Sequence, residues 1–306
     1  MNSLHQRVLN AVCSEHQFRV LKQFNDGQTG CSVFLVTNGC GLRIVKIGSS
    51  SRSIIEIGCN VDAFESLSSV DLGYITPTPI AYVRYGNTIV LIMEYGGIPL
   101  NHLLMISNNP VYILRNLTDW LLEVYSISLR KVAKSRQHVT QTCNLITRKV
   151  ECHFSSHPIG ANLVEIIKRM GYIQLLAGLK YSCFANTDMM PDDVSLLINE
   201  NRFYFLDLHV PVFGMPLIDL GILLAGIETD QTIGGFGEQL IIAKLADKIV
   251  DLFEISHETG YIILQLGKTL HDVYAARYSC SAKRQEDLLA RAQVSLRIIN
   301  NMLNDN

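Results

Sequence analysis

The sequence predicts an α+β protein in two lobes, a small β-rich part over residues 1–96 and a larger, mostly helical part over residues 97–306. Three observations carry that expectation. Short apolar runs separated by Gly and Asn fill the first hundred residues. Long stretches at helical spacing fill most of the remainder. Between them stands Gly96-Gly97-Ile98-Pro99, the best candidate for a hinge. At 306 residues the chain is long enough for two cores, and 48% hydrophobic against 18% charged residues suits packed lobes rather than disorder.

The first lobe reads as strands with one helix. Phe18–Phe24 is strand-like, and Ser32–Val36 and Leu42–Ile47 flank Thr37-Asn38-Gly39-Cys40-Gly41. Asn-Gly between apolar runs marks a hairpin, because both residues tolerate positive φ. Ser51–Ser53 can cap a helix that carries Ile54, Ile57, Val61, Phe64 and Leu67 on one stripe. Two more strands are expected at Pro79–Tyr85 and Thr88–Glu94, with Gly86-Asn87 as their turn.

In the second lobe the helical period predicts Val111–Val132, Asn162–Leu179, Gln239–Phe253, Glu258–Ala276 and Lys283–Leu303. A strand pair, Val194–Ile198 and Phe203–Leu208, interrupts them and is joined by Asn199-Glu200-Asn201.

The totals exclude several classes. A formal net charge of −2 gives no field for nucleic acid. The stretch Met215–Ile227 is apolar but short and broken by Asp219, and no run approaches the ~20 residues of a membrane span. MNSLHQRVLNAVCSEHQ lacks a basic stretch followed by an apolar core, so no signal peptide is expected and the expected location is the cytoplasm. Eight scattered cysteines without a CxxC pair read as free thiols. Cys143, Cys152, His153 and His157 lie close together but match no standard zinc spacing, and Pro158 breaks a helical histidine pair. They read as packing and loop residues.

Asn25-Asp26-Gly27-Gln28-Thr29-Gly30-Cys31-Ser32 lies between the first two strands. Two glycines in such a turn let backbone N–H groups approach phosphate oxygens. The loop lacks GK[ST] and no helix follows, so it is neither a Walker loop nor a dinucleotide fingerprint. Lys46 stands in Arg43-Ile44-Val45-Lys46-Ile47, otherwise apolar at its centre. Such a lysine either snorkels to an edge or holds phosphates under the loop, oriented by a helix glutamate. Glu56 is the expected partner and Glu65 the fallback. Loop, lysine and glutamate in this order resemble the N-lobe of a protein kinase.

Five aspartates, Asp188, Asp192, Asp193, Asp207 and Asp219, follow within Asn186–Gly221. Phosphoryl transfer needs one carboxylate to orient or deprotonate the acceptor hydroxyl and oxygen ligands for Mg2+. A loop, a hairpin and a second loop can bring Asp188, Asp193 and Asp207 to one point, although nineteen positions separate the first from the last. Turn and cap chemistry accounts for Asp192, but not for Asp207 at the end of the aromatic run Phe203-Tyr204-Phe205-Leu206.

Here the residues resemble the aminoglycoside phosphotransferase and choline kinase-like family, small-molecule kinases with a protein-kinase-like fold. That family's catalytic loop reads roughly H-G-D-x-x-x-x-N, followed by a strand ending in I-D and a G-x-P-x-x-D-L-A-like segment. In this chain Asn186-Thr187-Asp188 stands where H-G-D is expected, and Asp193 replaces the asparagine. Leu206-Asp207 matches the strand end, and Pro216-Leu217-Ile218-Asp219-Leu220-Gly221 matches the third segment. Upstream, Ile92-Met93-Glu94-Tyr95-Gly96-Gly97-Ile98-Pro99-Leu100 looks like the hinge whose backbone pairs with adenine. The resemblance runs from about Phe18 to Ile227.

The resemblance implies a Mg2+-dependent kinase that moves the γ-phosphoryl group of ATP or GTP to a hydroxyl of a small molecule. Asp188 would be the base, and Asp193 and Asp207 the metal ligands. Gly27, Gln28, Thr29, Gly30, Ser32, Lys46 and Glu56 would serve the phosphates, and Met93, Glu94 and Tyr95 the adenine. Asp219 would be structural. Arg130, Lys131, Lys134, Arg136, His138, Arg148 and Lys149 fall within twenty residues, which does not favour a polycationic acceptor. A sugar, an amino alcohol or another natural-product hydroxyl fits as well as an aminoglycoside. The alternatives are a catalytically silent nucleotide-binding module on the same fold and an atypical protein kinase. Against the latter, no D-F-G occurs, and Pro216 follows Asp207 too closely for a long activation segment.

Overall fold

The strands expected in the first hundred residues form one antiparallel sheet, and which side chains share a face follows from its register. The computed structural model describes residues 3–24, 30–131, 151, 158–172, 181–184, 196–206, 208, 213–214, 216–229, 236–279 and 281–304. The chain begins with α1 (Ser3–His16), β1 (Arg19–Gln23), β2 (Ser32–Thr37), β3 (Leu42–Gly48) and α2 (Ser51–Ser68). A 3-10 turn at Gly73–Ile75 leads to β4 (Pro79–Tyr85), β5 (Thr88–Glu94) and β6 (Ile98–Pro99). Then come α3 (Leu100–Ile106), α4 (Pro110–Ser128), β7 (Arg130–Lys131), α5 (Pro158–Tyr172) and β8 (Tyr181–Phe184). The hairpin β9 (Leu196–Asn199) and β10 (Arg202–Phe205) precedes β11 (Phe213–Gly214). Four helices follow: α6 (Pro216–Thr229), α7 (Phe236–Leu252), α8 (His257–Tyr278) and α9 (Ala282–Asn304).

Two compact units result: Met1–Ile98 with Leu197–Val210, and Pro99–Leu196 with Pro211–Asn306. In the first, the sheet order is β1-β2-β3-β5-β4. Residues opposite one another in such a sheet share a face. Phe34, Val45 and Ile92 are aligned across β2, β3 and β5, and so are Val33, Lys46 and Leu91. The first row belongs to a core completed by Val8, Leu9 and Val12 of α1. On the other face Leu91 and Met93 pack with Ile57 of α2 and Cys31.

The helix α1 was not expected; the sequence reading allowed one helix in this lobe. Its buried stripe is His5, Val8, Leu9 and Val12, at helical spacing but with a histidine in it. That histidine is buried because its ring meets two hydroxyls, Ser32 Oγ at 2.8 Å from Nδ1 and Ser49 Oγ at 2.8 Å from Nε2. Those partners lie 27 and 44 positions away, beyond any local pattern.

The cap of α2 falls one residue earlier than expected, on Ser50. Ser53 N donates to Ser50 Oγ at 3.1 Å and Ser50 N to Ser53 Oγ at 3.0 Å, a reciprocal capping box. The helices α4 and α8 also begin one residue before the expected start, each behind a capping side chain, Asn109 and Ser256. Pro110 opens α4 behind Asn109, whose side chain accepts from Tyr112 N at 3.1 Å.

The hairpin β9–β10 groups with the first unit although it follows a long run of the second. It is joined there through Gly97, where φ is +106° and an added Cβ would stand 1.9 Å from Ile198 O. Asn199 Nδ2 also donates to Tyr95 O at 3.3 Å. Only glycine fits position 97, on both grounds.

In the second unit the apolar stretch after Met215 forms α6, which the sequence reading did not assign to a helix. Every residue from Pro216 to Ile227 is buried. Burial on all sides erases the 3.6-residue alternation that reveals a helix. It packs against α7 and α8. The approach to α8 is close at Gly221 and Gly267, where added Cβ atoms would lie 2.2 Å from Leu264 O and 2.2 Å from Ile218 O. Glu228 accepts from Lys268 Nζ at 2.8 Å and from Arg291 NH2 at 2.9 Å. Arg291 Nε also reaches Asp272 at 3.1 Å, and so α6, α8 and α9 are pinned together. Among the described residues no helix is long and apolar enough to cross a membrane.

Leu9 is 2% exposed in α1, whereas Leu4 of the same helix is 37% exposed. Leu9→Ala is expected to lower stability by about 2–4 kcal/mol, and Leu4→Ala by no more than about 0.5 kcal/mol, in urea denaturation.

Candidate functional site

Lys46 lies in the central strand of the sheet, on the face that α2 covers. Its cross-strand neighbours are Val33 and Leu91, and two residues along the strand Ile44 stands opposite Met93. An ammonium on an apolar face is costly unless it is paired. Lys46 is 7% exposed, and α2 supplies its partners. Because only Ser49 and Ser50 separate β3 from α2, the helix is held close to that strand.

Among the described residues, two that lie one helical turn apart on α2 face the ammonium. Lys46 Nζ donates to Asn60 Oδ1 at 3.1 Å. The carboxylate of Glu56 stands at 3.9 Å from Nζ, an ion pair without a hydrogen bond. Asn60 Nδ2 donates to the backbone carbonyl of Glu56 at 3.1 Å, which turns the amide oxygen toward the lysine. The second carboxylate oxygen of Glu56 is buried with no hydrogen-bond partner among the described residues. Glu65, the fallback partner, is exposed on α2.

The other residues singled out from the sequence have different surroundings. Gly27, Gln28 and Thr29 lie outside the described residues. Gly30 is described, with φ +79° and open space where a side chain would stand. Ser32 is described at the start of β2. It stands opposite Ile47, so its side chain lies on the α1 face, away from Lys46, and its hydroxyl is bonded to His5. The alternation of β2 turns consecutive side chains to opposite faces, which leaves only the backbone of Ser32 for the glycine loop.

Met93 is 4% exposed on the same face as Lys46. Glu94 ends β5, and its N–H donates to Thr78 O at 3.0 Å. Tyr95 is half-buried, and burial raises its phenol above the usual range. Asp188, Asp193 and Asp207 lie outside the described residues, as do Cys143, Cys152, His153 and His157. No group of three or more His, Cys, Asp or Glu able to hold a metal occurs among the described residues.

Asp219 is described, in the first turn of α6 and 1% exposed. Burial, and after it the charge of Asp219, pushes the Tyr125 phenol and the Cys183 thiol well above their ordinary values. Both groups are therefore neutral at physiological pH. Nearby, Ser128 Oγ donates to Val124 O at 2.6 Å and accepts from Phe184 N at 3.0 Å, tying β8 to α4.

The second unit also has an open cleft of about 440 Å³ between α4 and α7. Its lining includes the cations Arg115, Lys244 and Lys248, one carboxylate, Asp119, and the apolar Val111 and Leu245. The sequence reading missed Asn60, whose signal was its position four residues after Glu56 on one helical face.

No protein-family model matches the chain, and no curated protein matches it in sequence. Solved structures do match it. The streptomycin–ATP–APH(2")-IIa ternary complex is 13% identical with a TM-score of 0.55, covering 98% of this chain and 99% of that one. Choline kinase LicA from Streptococcus pneumoniae is 13% identical with a TM-score of 0.53, covering 96% of this chain and 99% of that one. Aminoglycoside-3'-phosphotransferase of type VIII is 13% identical with a TM-score of 0.57, covering 89% of this chain and 100% of that one. At this identity the likeness is one of fold, and the chain has the α+β protein-kinase-like fold that these small-molecule phosphotransferases share.

Proposed function

We propose that this protein is a kinase of small molecules, transferring the γ-phosphoryl group of ATP or GTP to a hydroxyl. The observation that carries the reading is the Lys46 ammonium, held by α2 on the sheet face that this helix covers, in the second strand after the glycine-containing segment Asn25–Cys31. A protein that needed only a stable sheet would place an apolar residue there. The fold is one in which aminoglycoside phosphotransferases and a choline kinase have been solved.

In this reading Lys46 binds the donor's phosphates, and the backbone of the Gly27–Ser32 turn lies over them. Met93, Glu94 and Tyr95 border the base. Asp188 orients the acceptor hydroxyl and takes its proton. Asp193 and Asp207, two hard oxygen donors, would hold Mg2+, which when bound offsets phosphate charge. Asp219, buried in the first turn of α6, has a structural role within the helical unit. A sugar, an amino alcohol or another natural-product hydroxyl fits as acceptor at least as well as an aminoglycoside.

One observation favours a second reading, a nucleotide-binding module without turnover. Asn186-Thr187 stands where the resemblance calls for His-Gly, and Asp193 where it calls for Asn. In that reading the aspartate would add negative charge to the site of Asp207, and the loss of His-Gly would alter the support of the loop.

Two measurements decide. Mg-ATP or Mg-GTP at about a hundred times its dissociation constant is expected to stabilise the protein by about 2.7 kcal/mol, seen as a thermal shift of roughly 5 °C. Stabilisation by neither nucleotide ends the kinase reading. Lys46→Ala is expected to weaken nucleotide binding by about tenfold to a hundredfold. Asp188→Asn is expected to leave that binding intact while lowering turnover against a panel of hydroxylated small molecules by at least about a hundredfold. Unchanged turnover in Asp188→Asn would remove the base assignment, and binding without any turnover in the parent protein would favour the silent module.

A further inference from the structure

We infer that Asn60 is a positioning residue for nucleotide binding, acting through Lys46; the inference rests on the kinase reading. The ammonium is within hydrogen-bond distance of the amide, 3.1 Å, and outside it for the carboxylate of Glu56, 3.9 Å. The amide has one orientation available, because its nitrogen is spent on the Glu56 carbonyl at 3.1 Å. Its oxygen is thereby aimed at the lysine before any ligand arrives.

The chemistry suits a site that must still receive an anion. A lysine side chain has four rotatable bonds, and their freedom is lost in the fold rather than at each encounter with phosphate. A neutral amide fixes the ammonium without neutralising it. A carboxylate in hydrogen-bonding contact would do both and would compete with the phosphate oxygens. Glu56, one turn back on the helix, contributes its charge from a longer distance. Within α2 the two residues differ in role: Asn60 sets position and Glu56 contributes charge.

A purely structural role is the competing explanation, since the amide also braces α2 through its bond to Glu56. The two separate in a double-mutant cycle with Lys46. Affinity for Mg-ATP and Mg-GTP is measured by calorimetric titration for the parent, Asn60→Ala, Lys46→Ala and the double variant, with urea midpoints alongside. Asn60→Leu, closer in volume to asparagine, serves as the second variant if the alanine protein does not fold. Asn60→Ala is expected to weaken binding by about tenfold in the parent and by less than about twofold in the Lys46→Ala background. Its loss is expected to equal or exceed that of Glu56→Gln. Acylation of Lys46 by an amine reagent, read by mass spectrometry, is expected to rise in Asn60→Ala.

Equal losses in both backgrounds, with a fall in urea midpoint, would make Asn60 a helix brace and overturn the inference. So would an unchanged affinity in Asn60→Ala while the parent binds nucleotide, and that outcome leaves the kinase reading standing. A parent protein that binds neither nucleotide overturns both.

Discussion

A positive charge on an apolar sheet face constrains the first unit more than any other single feature. Lys46 shares its face with Val33, Leu91 and Met93, none of which can solvate an ammonium. Among the described residues α2 supplies two partners, Asn60 and Glu56, because that helix starts at once after β3 and crosses that face. The Ser50–Ser53 capping box fixes that start. The register then brings Glu56 and Asn60 to the lysine and sends Ile57 into the core beside them. A shift of one residue in the cap would rotate the helix by about 100° and remove both partners.

The other face of the same sheet answers to packing instead. There α1 lays Val8, Leu9 and Val12 on Phe34, Val45 and Ile92, and His5 enters that layer bonded to two serine hydroxyls. The two faces thus divide their tasks by strand parity. Ser32 and Val33 are neighbours in sequence, yet the first joins the α1 face and the second the face of Lys46. In the second unit the comparable constraint is the close crossing of α6 and α8 at Gly221 and Gly267. That contact admits no side chain, and the ion pairs of Glu228, Asp272 and Arg291 stand to one side of it.

Much of the fold was legible because the signals are local. The turns at Asn38-Gly39 and Gly86-Asn87 fall where positive-φ chemistry predicts them, and Pro79–Tyr85 and Thr88–Glu94 have the expected bounds. The helices α1 and α6 were not legible, for opposite reasons. In α1 the stripe is diluted by a buried histidine, and in α6 burial on every side leaves no stripe. At the candidate site, Lys46 drew notice as a charge in an apolar strand. The choice between Glu56 and Glu65 stayed open, because both lie on the same helix.

The sequence by itself determined the strand pairs, the turns and the order of the motifs, since alternation and turn chemistry act over a few residues. Tertiary structure alone decided that Ser32 turns to His5, that Asn60 meets Lys46 and that an all-apolar stretch winds as α6. Each of these depends on which surfaces meet across tens of residues. Local periodicity reports that a face is buried, and the three-dimensional packing determines against what.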